Sequence, residues 1–348
     1  MLPAVSVVMT TYNSDAVLEP CLHALAAVPY QPLEVIIVDN ASTDKSKEIL
    51  RRFADRFQVI FNQENRGFSA GQNQAIREAR GEWVLSLNPD VLLAPDFIAE
   101  LVRMGEQDPS VGSLTGKLLR WLPDQPEPRS RIIDSTGIYF LPNLRHLDRG
   151  SEQPDQGQYE ACEYVFGATG AAAVYRRRMI DDVSIDGEFF DEAFFAYRED
   201  ADLSWRAQLM GWQCLYVPRA VAWHVRRVTP ERFHRLPLTI NWHSIKNRFL
   251  MRAKNISPGL YLRLALPVTF RDLLIAGYCV LRDRRLLSAL TYVWQHRREL
   301  AGKRQAVQAL RRVPDSELAR WFNNRPVAFR YPAPRSGDPS RTSGGTAT

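Results

Sequence analysis

The fold of this chain is decided by the stretch Glu82-Trp83-Val84-Leu85-Ser86-Leu87-Asn88-Pro89-Asp90. Its first six residues form an apolar run that is typical of a buried strand, and the run ends at a proline and a carboxylate. In α/β sheets, ligands bind where the carboxyl ends of the strands open into loops. The stretch therefore predicts a buried parallel strand with Asp90 at the functional edge of the sheet.

Three earlier segments have the same short, apolar and β-branched character, and polar residues bound each of them. They are residues 5–9, 33–38 and 58–61. Helical patterns lie between them: Leu18, Leu22 and Leu25 share one face, and Ile49, Leu50 and Phe53 share another. Strands that alternate with helices predict a doubly wound, mostly parallel sheet with flanking helices.

The loops after the four strands are rich in polar side chains and should converge on one edge of the sheet. A second acidic cluster, Glu199-Asp200-Ala201-Asp202, follows the aromatic run 189–197. Two separate groups of carboxylates suggest that one holds a metal ion and the other supplies a base.

Five motifs occur in order over residues 5–225: Thr-Tyr-Asn, Val-Asp-Asn-Ala-Ser-Thr-Asp, Asn-Arg-Gly-Phe-Ser-Ala-Gly-Gln-Asn, Asn-Pro-Asp, and Glu-Asp-x-Asp-Leu-x-x-Arg at 199–206. This ordered set resembles the inverting glycosyltransferases of family 2, and in particular their bacterial rhamnosyltransferase-like members. The resemblance implies a GT-A fold and a nucleotide-diphosphate sugar donor. The leading donor that the resemblance implies is dTDP-L-rhamnose, and a UDP-sugar is the alternative.

The resemblance also implies roles for individual residues. Asp200 would be the base that deprotonates an acceptor hydroxyl, with Glu199 as its neighbour of lesser effect. Asp90 and His224 would bind Mg²⁺ or Mn²⁺ at the donor diphosphate. The donor-binding residues it implies are Thr10, Tyr12, Asn13, Asp39, Arg66, Gly67, Asn73, Asn88 and Gly170.

Simpler interpretations stand beside these roles. Asp90 could be the N-cap of a helix that begins near residues 94–96, and the 199–202 cluster could be a solvated first helical turn in which Asp202 pairs with Arg206. His224 could be a satisfied core residue, and Asn88 replaces the first Asp of the usual Asp-x-Asp motif. The site therefore offers one carboxylate where the family pattern has two.

Other nucleotide-binding classes fit the sequence less well. Residues 9–14 contain no glycine, which argues against a dinucleotide-binding turn, and residues 112–117 lack the spacing and the hydroxyl of a phosphate-binding loop. A sugar nucleotidyltransferase and a non-catalytic nucleotide-sugar-binding relative remain as alternatives.

The charge is concentrated late in the chain. Residues 219–312 hold 20 Lys and Arg against 4 Asp and Glu, interleaved with apolar clusters that charged residues interrupt. No uninterrupted apolar run reaches the roughly 18 residues of a spanning helix. This pattern predicts helices that lie on an anionic membrane surface, and hence a saccharide or lipid-linked acceptor. No nucleic-acid recognition module is present.

The predicted organisation has three parts. Residues 1–230 form the GT-A catalytic domain, residues 231–330 a helical, membrane-associated extension, and residues 331–348 a disordered tail. Four isolated cysteines fit a reducing compartment, and the start of the chain does not resemble a signal peptide. The expected location is cytoplasmic, peripheral on the inner face of the cell membrane.

Overall fold

A computed structural model of the chain describes residues 2–125, 129–226, 237–281 and 283–332. The predicted domain boundary at residue 230 and residues 333–348 of the predicted disordered tail lie outside the described residues. Arg282, one of the basic residues of the extension, lies outside them as well.

The described residues contain thirteen strands. They are β1 Val5–Thr11, β2 Leu33–Asp39, β3 Gln58–Phe61, β4 Trp83–Leu87, β5 Val91–Leu93, β6 Val111–Trp121, β7 Arg129–Ser135, β8 Ile138–Phe140, β9 His146–Asp148, β10 Glu163–Val165, β11 Ala172–Arg176, β12 Gln213–His224 and β13 Phe329–Arg330.

They also contain eleven α-helices. They are α1 Asp15–Ala26, α2 Ser46–Arg52, α3 Gly67–Glu78, α4 Phe97–Gly105, α5 Arg177–Val183, α6 Glu199–Leu209, α7 Leu238–Asn255, α8 Pro258–Leu281, α9 Ser288–Gln295, α10 Arg297–Ala309 and α11 Asp315–Leu318.

The first half of the main sheet is parallel, as the sequence predicts. Its strand order is β3-β2-β1-β4, and β1 pairs in parallel with both β2 and β4. The chain therefore reverses its direction of winding between β1 and β4, which makes a topological switch point. Ligands of open α/β sheets bind at this place, and the loops after β1, β2 and β4 all reach it.

The second half of the sheet is mixed. β11 runs antiparallel to β4 and β6, whereas β6 and β12 are parallel to each other. Residues 112–117, which lack the spacing and the hydroxyl of a phosphate-binding loop, lie inside β6. A phosphate-binding loop is therefore absent at that position.

Both faces of the sheet are buried. Consecutive side chains of a strand point to opposite faces, so each central strand contributes to two apolar clusters. On β4, Trp83, Leu85 and Leu87 pack into one apolar cluster, while Val84 packs into the cluster on the opposite face. Full burial of an aliphatic or aromatic side chain contributes about 1.5–3 kcal/mol. These central strands therefore form a rigid support for the loops at their ends.

The helical extension is joined to the catalytic unit by a buried ionic cluster. Lys254 of α7 contacts both Asp191 and Asp202, and Lys303 of α10 contacts Asp191 at 2.7 Å. Removal of one partner from such a cluster leaves an uncompensated buried charge, which costs about 3–5 kcal/mol. In addition, β13 returns to the main sheet and pairs with β10.

Helix α8 joins two apolar clusters that Arg271 and Asp272 separate in the sequence. It has 24 residues, and an 18-residue window within it has a mean hydropathy of 1.6, so by length and composition it could cross a membrane. Length and composition alone are weak grounds for a span. Asp272, in the middle of the helix, pairs with Arg248 and Arg252 of α7, so the charge that interrupts the sequence pattern is neutralised within the protein.

Candidate active site

A cleft of about 960 Å³ lies at the carboxyl edge of the sheet. The predicted residues Asn88, Asp90, Gly170, Glu199, Asp200 and His224 line it. These residues come from parts of the chain more than a hundred positions apart. The structure therefore gathers the predicted metal residues and the predicted base around one cavity.

Asp90 and His224 are brought together by strand pairing. Asp90 lies in the turn between β4 and β5, and β5 pairs with the end of β12 so that His224 lies opposite Val91. The imidazole Nε2 is 3.5 Å from Asp90 Oδ1. Asp90 is not the N-cap of the helix that follows, because Asp96 occupies the N-cap position of α4.

Asp134 holds the other side of His224 and belongs to none of the sequence motifs. Its Oδ2 is 2.8 Å from His224 Nδ1, and its side chain is fully buried on β7. A carboxylate on the second ring nitrogen of a His fixes the tautomer and the orientation of the ring, as is common for metal-binding His residues. The only local signal for Asp134 is that this acidic residue directly follows the apolar pair Ile132-Ile133.

The charges around His224 reinforce one another. Burial disfavours the imidazolium, but Asp134 and Asp90 outweigh it and raise the pKa of His224 to about 10. Burial disfavours the charged form of Asp134 and so raises its pKa, but the charges of His224, Arg226 and Arg120 outweigh burial and lower the pKa below its usual value. The carboxylate of Asp134 is therefore ionised and holds the ring in place.

Asp200 is held by two backbone amides. Gly170 N–H donates to its Oδ2 at 2.9 Å, and Ala201 N–H donates to its Oδ1 at 2.7 Å. Burial, assisted by Asp148, raises the pKa of Asp200, although these hydrogen bonds oppose the rise. The carboxylate is thus oriented toward the cleft and is more basic than an exposed Asp, which suits a general base.

Glu199 has a different environment from its neighbour. It is buried, and its Oε2 has no hydrogen-bond partner among the described residues. Burial and the charges of Asp200 and Asp202 raise the pKa of Glu199 to about 8. At neutral pH Glu199 is therefore protonated beside Asp200. Asp202 faces away from them and pairs with Arg206 at 3.1 Å, as the sequence spacing indicated.

The segment that leads into this pair has an unusual backbone. Phe195, Tyr197 and Arg198 have φ angles of 66°, 72° and 71°, which non-glycine residues rarely adopt. Asn247 of α7 holds the segment by donating to the carbonyl groups of Phe194, Ala196 and Tyr197. Such strain persists only where the surroundings enforce it, and it is common at active sites. The extension therefore shapes the segment that precedes Glu199 and Asp200.

A second group of predicted residues lies at the ends of β1 and β2. Asp39 is fully buried, its Oδ2 accepts from Ser42 N–H at 3.0 Å, and its Oδ1 has no partner among the described residues. Asn13 accepts from Thr43 N–H at 2.8 Å, while Tyr12 is exposed. Thr10 is buried beside Gly71, and its hydroxyl is also without a partner among the described residues. Unsatisfied buried oxygen atoms beside an exposed aromatic ring fit a nucleoside.

The remaining predicted donor residues, like those at the ends of β1 and β2, do not line the cleft. Asn73 is buried and exchanges hydrogen bonds with the backbone of Phe190, and Gly67 packs against Phe195, where a Cβ atom would collide. Arg66 is half-exposed, and its guanidinium is 3.7 Å from Glu192. Asn73 and Gly67 have structural contacts, and the donor-binding roles of all three stay predictions.

Among the described residues, no group of three or more His, Cys, Asp or Glu side chains is arranged to hold a metal ion. Asp90 and His224 are thus a pair, and a cation between them would need further ligands from a bound molecule or from water.

Comparison with known proteins agrees with this geometry. The family model described as Glycosyl transferase family 2 matches residues 6–183, slightly more than half of the chain. The chain is 25% identical over 228 residues to the poly-β-1,6-N-acetyl-D-glucosamine synthase of Staphylococcus aureus. The aligned region covers 64% of this chain and 50% of that protein. The chain therefore spans about half the length of this relative.

Two solved structures are similar in fold. GalNAc-T7 with UDP, GalNAc and Mn²⁺ has a TM-score of 0.55 at 14% identity, covering 73% of this chain and 48% of that one. The mannosyltransferase PcManGT from Pyrobaculum calidifontis, in complex with GDP-Man and Mn²⁺, has a TM-score of 0.50 at 18% identity, covering 92% and 88%. At these identities the likeness concerns the fold, and the predicted GT-A architecture with a C-terminal helical extension is confirmed. The matched family model, over more than half of the residues, shows that the chain belongs to glycosyl transferase family 2.

Proposed function

We propose that this chain is an inverting, metal-dependent hexosyltransferase that moves a sugar from a nucleotide-diphosphate donor to a hydroxyl of a saccharide or lipid-linked saccharide. The observation that carries this proposal is that the Asp90–His224 pair and the Glu199–Asp200 pair face the same cleft. One pair suits a cation at the donor diphosphate, and the other suits the acceptor hydroxyl. The named relative, a polysaccharide synthase, supports a role in polysaccharide synthesis.

The residues around Asp90 fit a hard divalent cation. Asp90 Oδ1 is buried with His224 Nε2 3.5 Å away, and Asp134 fixes the ring in this orientation. Because the raised pKa of His224 leaves the imidazole protonated at neutral pH, a cation bound there would displace the Nε2 proton. When bound there, Mg²⁺ or Mn²⁺ would neutralise the donor diphosphate and so improve it as a leaving group. The presence of Mn²⁺ in both structural neighbours supports this assignment.

Asp200 is the base of the proposed reaction. Its ionised carboxylate would accept the proton of the acceptor hydroxyl as that oxygen attacks the anomeric carbon of the donor. The two amide donors hold the carboxylate in one orientation, and Glu199, protonated at neutral pH, keeps a second negative charge away from the reacting oxygen. Asp39 Oδ1 would accept from the nucleobase or the ribose at the other end of the donor.

The alternatives have less support. A sugar nucleotidyltransferase does not explain the family match, and a non-catalytic relative would have no use for a buried, strained segment that presents Asp200 to the cleft. L-Rhamnose as the transferred sugar rests on the motif resemblance alone. The known proteins above are named for N-acetylglucosamine, N-acetylgalactosamine and mannose.

Substitution of Asp90 by Asn should remove metal-dependent donor binding. A donor at about a hundredfold its Kd should stabilise the wild type by about 2.7 kcal/mol. We expect this thermal shift to require Mn²⁺ in the wild type and to vanish in Asp90→Asn, because the amide cannot replace the anionic ligand. The assay uses dTDP-L-rhamnose, UDP-N-acetylglucosamine and GDP-mannose, each with and without Mn²⁺.

The matched control is Asp96→Asn, an exposed carboxylate at the start of α4, which should behave like the wild type. His224→Ala should act in the same direction as Asp90→Asn but less strongly. A donor shift in Asp90→Asn that still depends on Mn²⁺ would show that the cation is held elsewhere. A shift with dTDP-L-rhamnose alone would identify the sugar.

The surface of α8 suits the interface of an anionic bilayer. Leu262, Leu266, Phe270, Leu273 and Leu281 are exposed and recur every three to eight residues, with Leu266 and Leu281 at 86% and 88% exposure. The opposite side of the helix packs on the protein through Leu260, Leu264 and Val268. Arg263 follows Leu262 and is exposed, so its charge complements an anionic lipid surface. We therefore place the enzyme on the cytoplasmic face of the cell membrane, with α8 in the interface.

The double substitution Leu266→Glu with Phe270→Glu should abolish this docking. Each buried aliphatic or aromatic side chain contributes about 1.5–3 kcal/mol, so the pair should cost more than tenfold in binding to phosphatidylglycerol vesicles, measured by flotation. Leu2→Glu, at an exposed leucine far from α8 in the chain, is the matched control. The wild type should also bind neutral vesicles weakly. Equal flotation of the double variant and the wild type would exclude α8 as the docking surface.

A further inference from the structure

A group of arginines lines the part of the cleft that the extension contributes. Arg145 lies in the turn between β8 and β9, Arg198 precedes α6, and Arg248 and Arg271 belong to α7 and α8. The acidic residues Asp90, Glu199 and Asp200 come instead from the strand ends and from α6. Asp148 and Glu152 also line the cleft, but they are neutralised by Arg226 and Arg120. The cleft therefore has an acidic part and a basic part.

Two of these arginines have no hydrogen-bond or ion-pair partner in the described part of the chain. Arg248 is paired with Asp272, and Arg198 donates to Ser244 and contacts the neutral ring of His146. Within the described ranges, the guanidinium groups of Arg145 and Arg271 form neither a hydrogen bond nor an ion pair with another residue. Each of these groups has five N–H donors to satisfy.

The arginines are close enough to repel one another. Burial and then the charge of Arg145 lower the pKa of Arg271, although Asp272 opposes them. The pKa of Arg198 is lowered by burial and then by Arg248, Arg145 and Arg271. A guanidinium keeps its proton in proteins, so this crowding is a cost in free energy that a bound anion would relieve.

An apolar strip continues from Arg271 along the same helix. Leu274, Ile275 and Tyr278 follow it at helical spacing and also line the cleft, over roughly 10 Å of helix. The exposed row that starts at Leu262 lies on the outer surface of this helix. A ligand at this wall would therefore meet cationic groups first and then an apolar path that leads to the proposed membrane surface.

We propose that Arg145 and Arg271 bind the phosphate groups of a lipid-linked acceptor, whose chain passes along Leu274, Ile275 and Tyr278. This inference rests on the proposed function, because it presumes that the acceptor hydroxyl meets Asp200. The donor diphosphate is assigned to the opposite, Asp90 side of the cleft. The two diphosphate positions are thus formed by different parts of the chain, which lets them be tested separately.

The experiment measures binding of farnesyl diphosphate to the full chain in EDTA, so that no cation can hold a diphosphate at Asp90. We expect Arg271→Gln to weaken this binding by about tenfold to a hundredfold, because a charge-assisted hydrogen bond is lost, and Arg145→Gln to act similarly. Arg298→Gln, an exposed arginine of α10 that does not line the cleft, is the matched control and should bind as the wild type does. Binding of UDP with Mn²⁺ should be unchanged in all three variants.

The other probes separate the sources of binding. Farnesol and inorganic pyrophosphate should each bind at least about tenfold more weakly than farnesyl diphosphate, since each lacks one half of the recognition. If farnesol bound as tightly as farnesyl diphosphate, the arginines would not contribute and the site would be only an apolar surface. If pyrophosphate bound as tightly, the site would bind anions but not a lipid chain. Loss of UDP binding in Arg271→Gln would assign the arginines to the donor. Because the assay reads binding without sugar transfer, its outcome is independent of whether Asp200 proves to be the base.

Discussion

The Asp200→Asn variant should bind its donor within a fewfold of the wild type while its turnover falls by about 10²–10⁴. The amide keeps the size of the carboxylate and its one oxygen can still accept from either Gly170 N–H or Ala201 N–H, but it cannot take a proton from the acceptor. The loss should therefore appear in kcat and not in donor affinity. Sugar transfer is followed by release of the nucleoside diphosphate, and donor binding by thermal shift with Mn²⁺.

Two comparisons make this result specific. Asp181→Asn, an exposed carboxylate on α5, should leave turnover unchanged. Because burial raises the pKa of Asp200, wild-type activity should begin to fall at a higher pH than for an ordinary Asp as the solution is acidified. If Glu199→Gln were inactive and Asp200→Asn active, the two roles would have to be exchanged.

The Glu199→Gln variant should remove a large pH dependence of folding stability. In the wild type, the folded protein holds the proton of Glu199 up to a pKa of about 8, against an ordinary value of 4.5. A raised folded-state pKa stabilises the fold at pH values below the unfolded pKa, and this stability is lost as pH rises through the folded pKa. At about 1.4 kcal/mol per pKa unit, the loss between these values is about 4–5 kcal/mol.

The measurement is the free energy of unfolding in urea at several pH values between 5 and 9, in EDTA. The wild type should lose stability relative to Glu199→Gln as pH rises, whatever constant offset the buried amide introduces. Glu192→Gln, at a partly exposed carboxylate of the same region, should follow the wild type. Parallel pH profiles of the wild type and Glu199→Gln would show that Glu199 is already ionised in the folded protein.

The sequence could predict the parallel half of the sheet and the positions of Asp90 and Asp200, because both follow from local signals. Apolar runs such as residues 83–87 identify strands, and the ends of parallel strands meet at one edge. His224 could be proposed because it ends a recognisable strand. Its partner could not, since Asp134 is 90 residues away and meets it only after β6, β7 and β12 have paired.

Other features depend on contacts that no local pattern reveals. Arg271 and Asp272 interrupt an apolar sequence, but Asp272 is neutralised by two arginines of another helix and α8 continues through it. Asn73 belongs to a motif that suggests donor binding, whereas its amide is engaged with the backbone of Phe190. Polar residues in a motif can serve the scaffold as well as the ligand, and only tertiary structure distinguishes these uses.

The hydrogen bonds from Asn247 to three carbonyl groups of the segment before Glu199 have a consequence for how members of this family can be recombined. The geometry around Asp200 depends partly on a helix that lies beyond the matched family region. A hybrid that joined residues 1–226 of this chain to the helices of a relative would retain every recognisable motif and still misplace Asp200. The portable unit of this enzyme therefore includes its helices, and donor and acceptor preferences should be exchanged by altering the cleft within the intact chain.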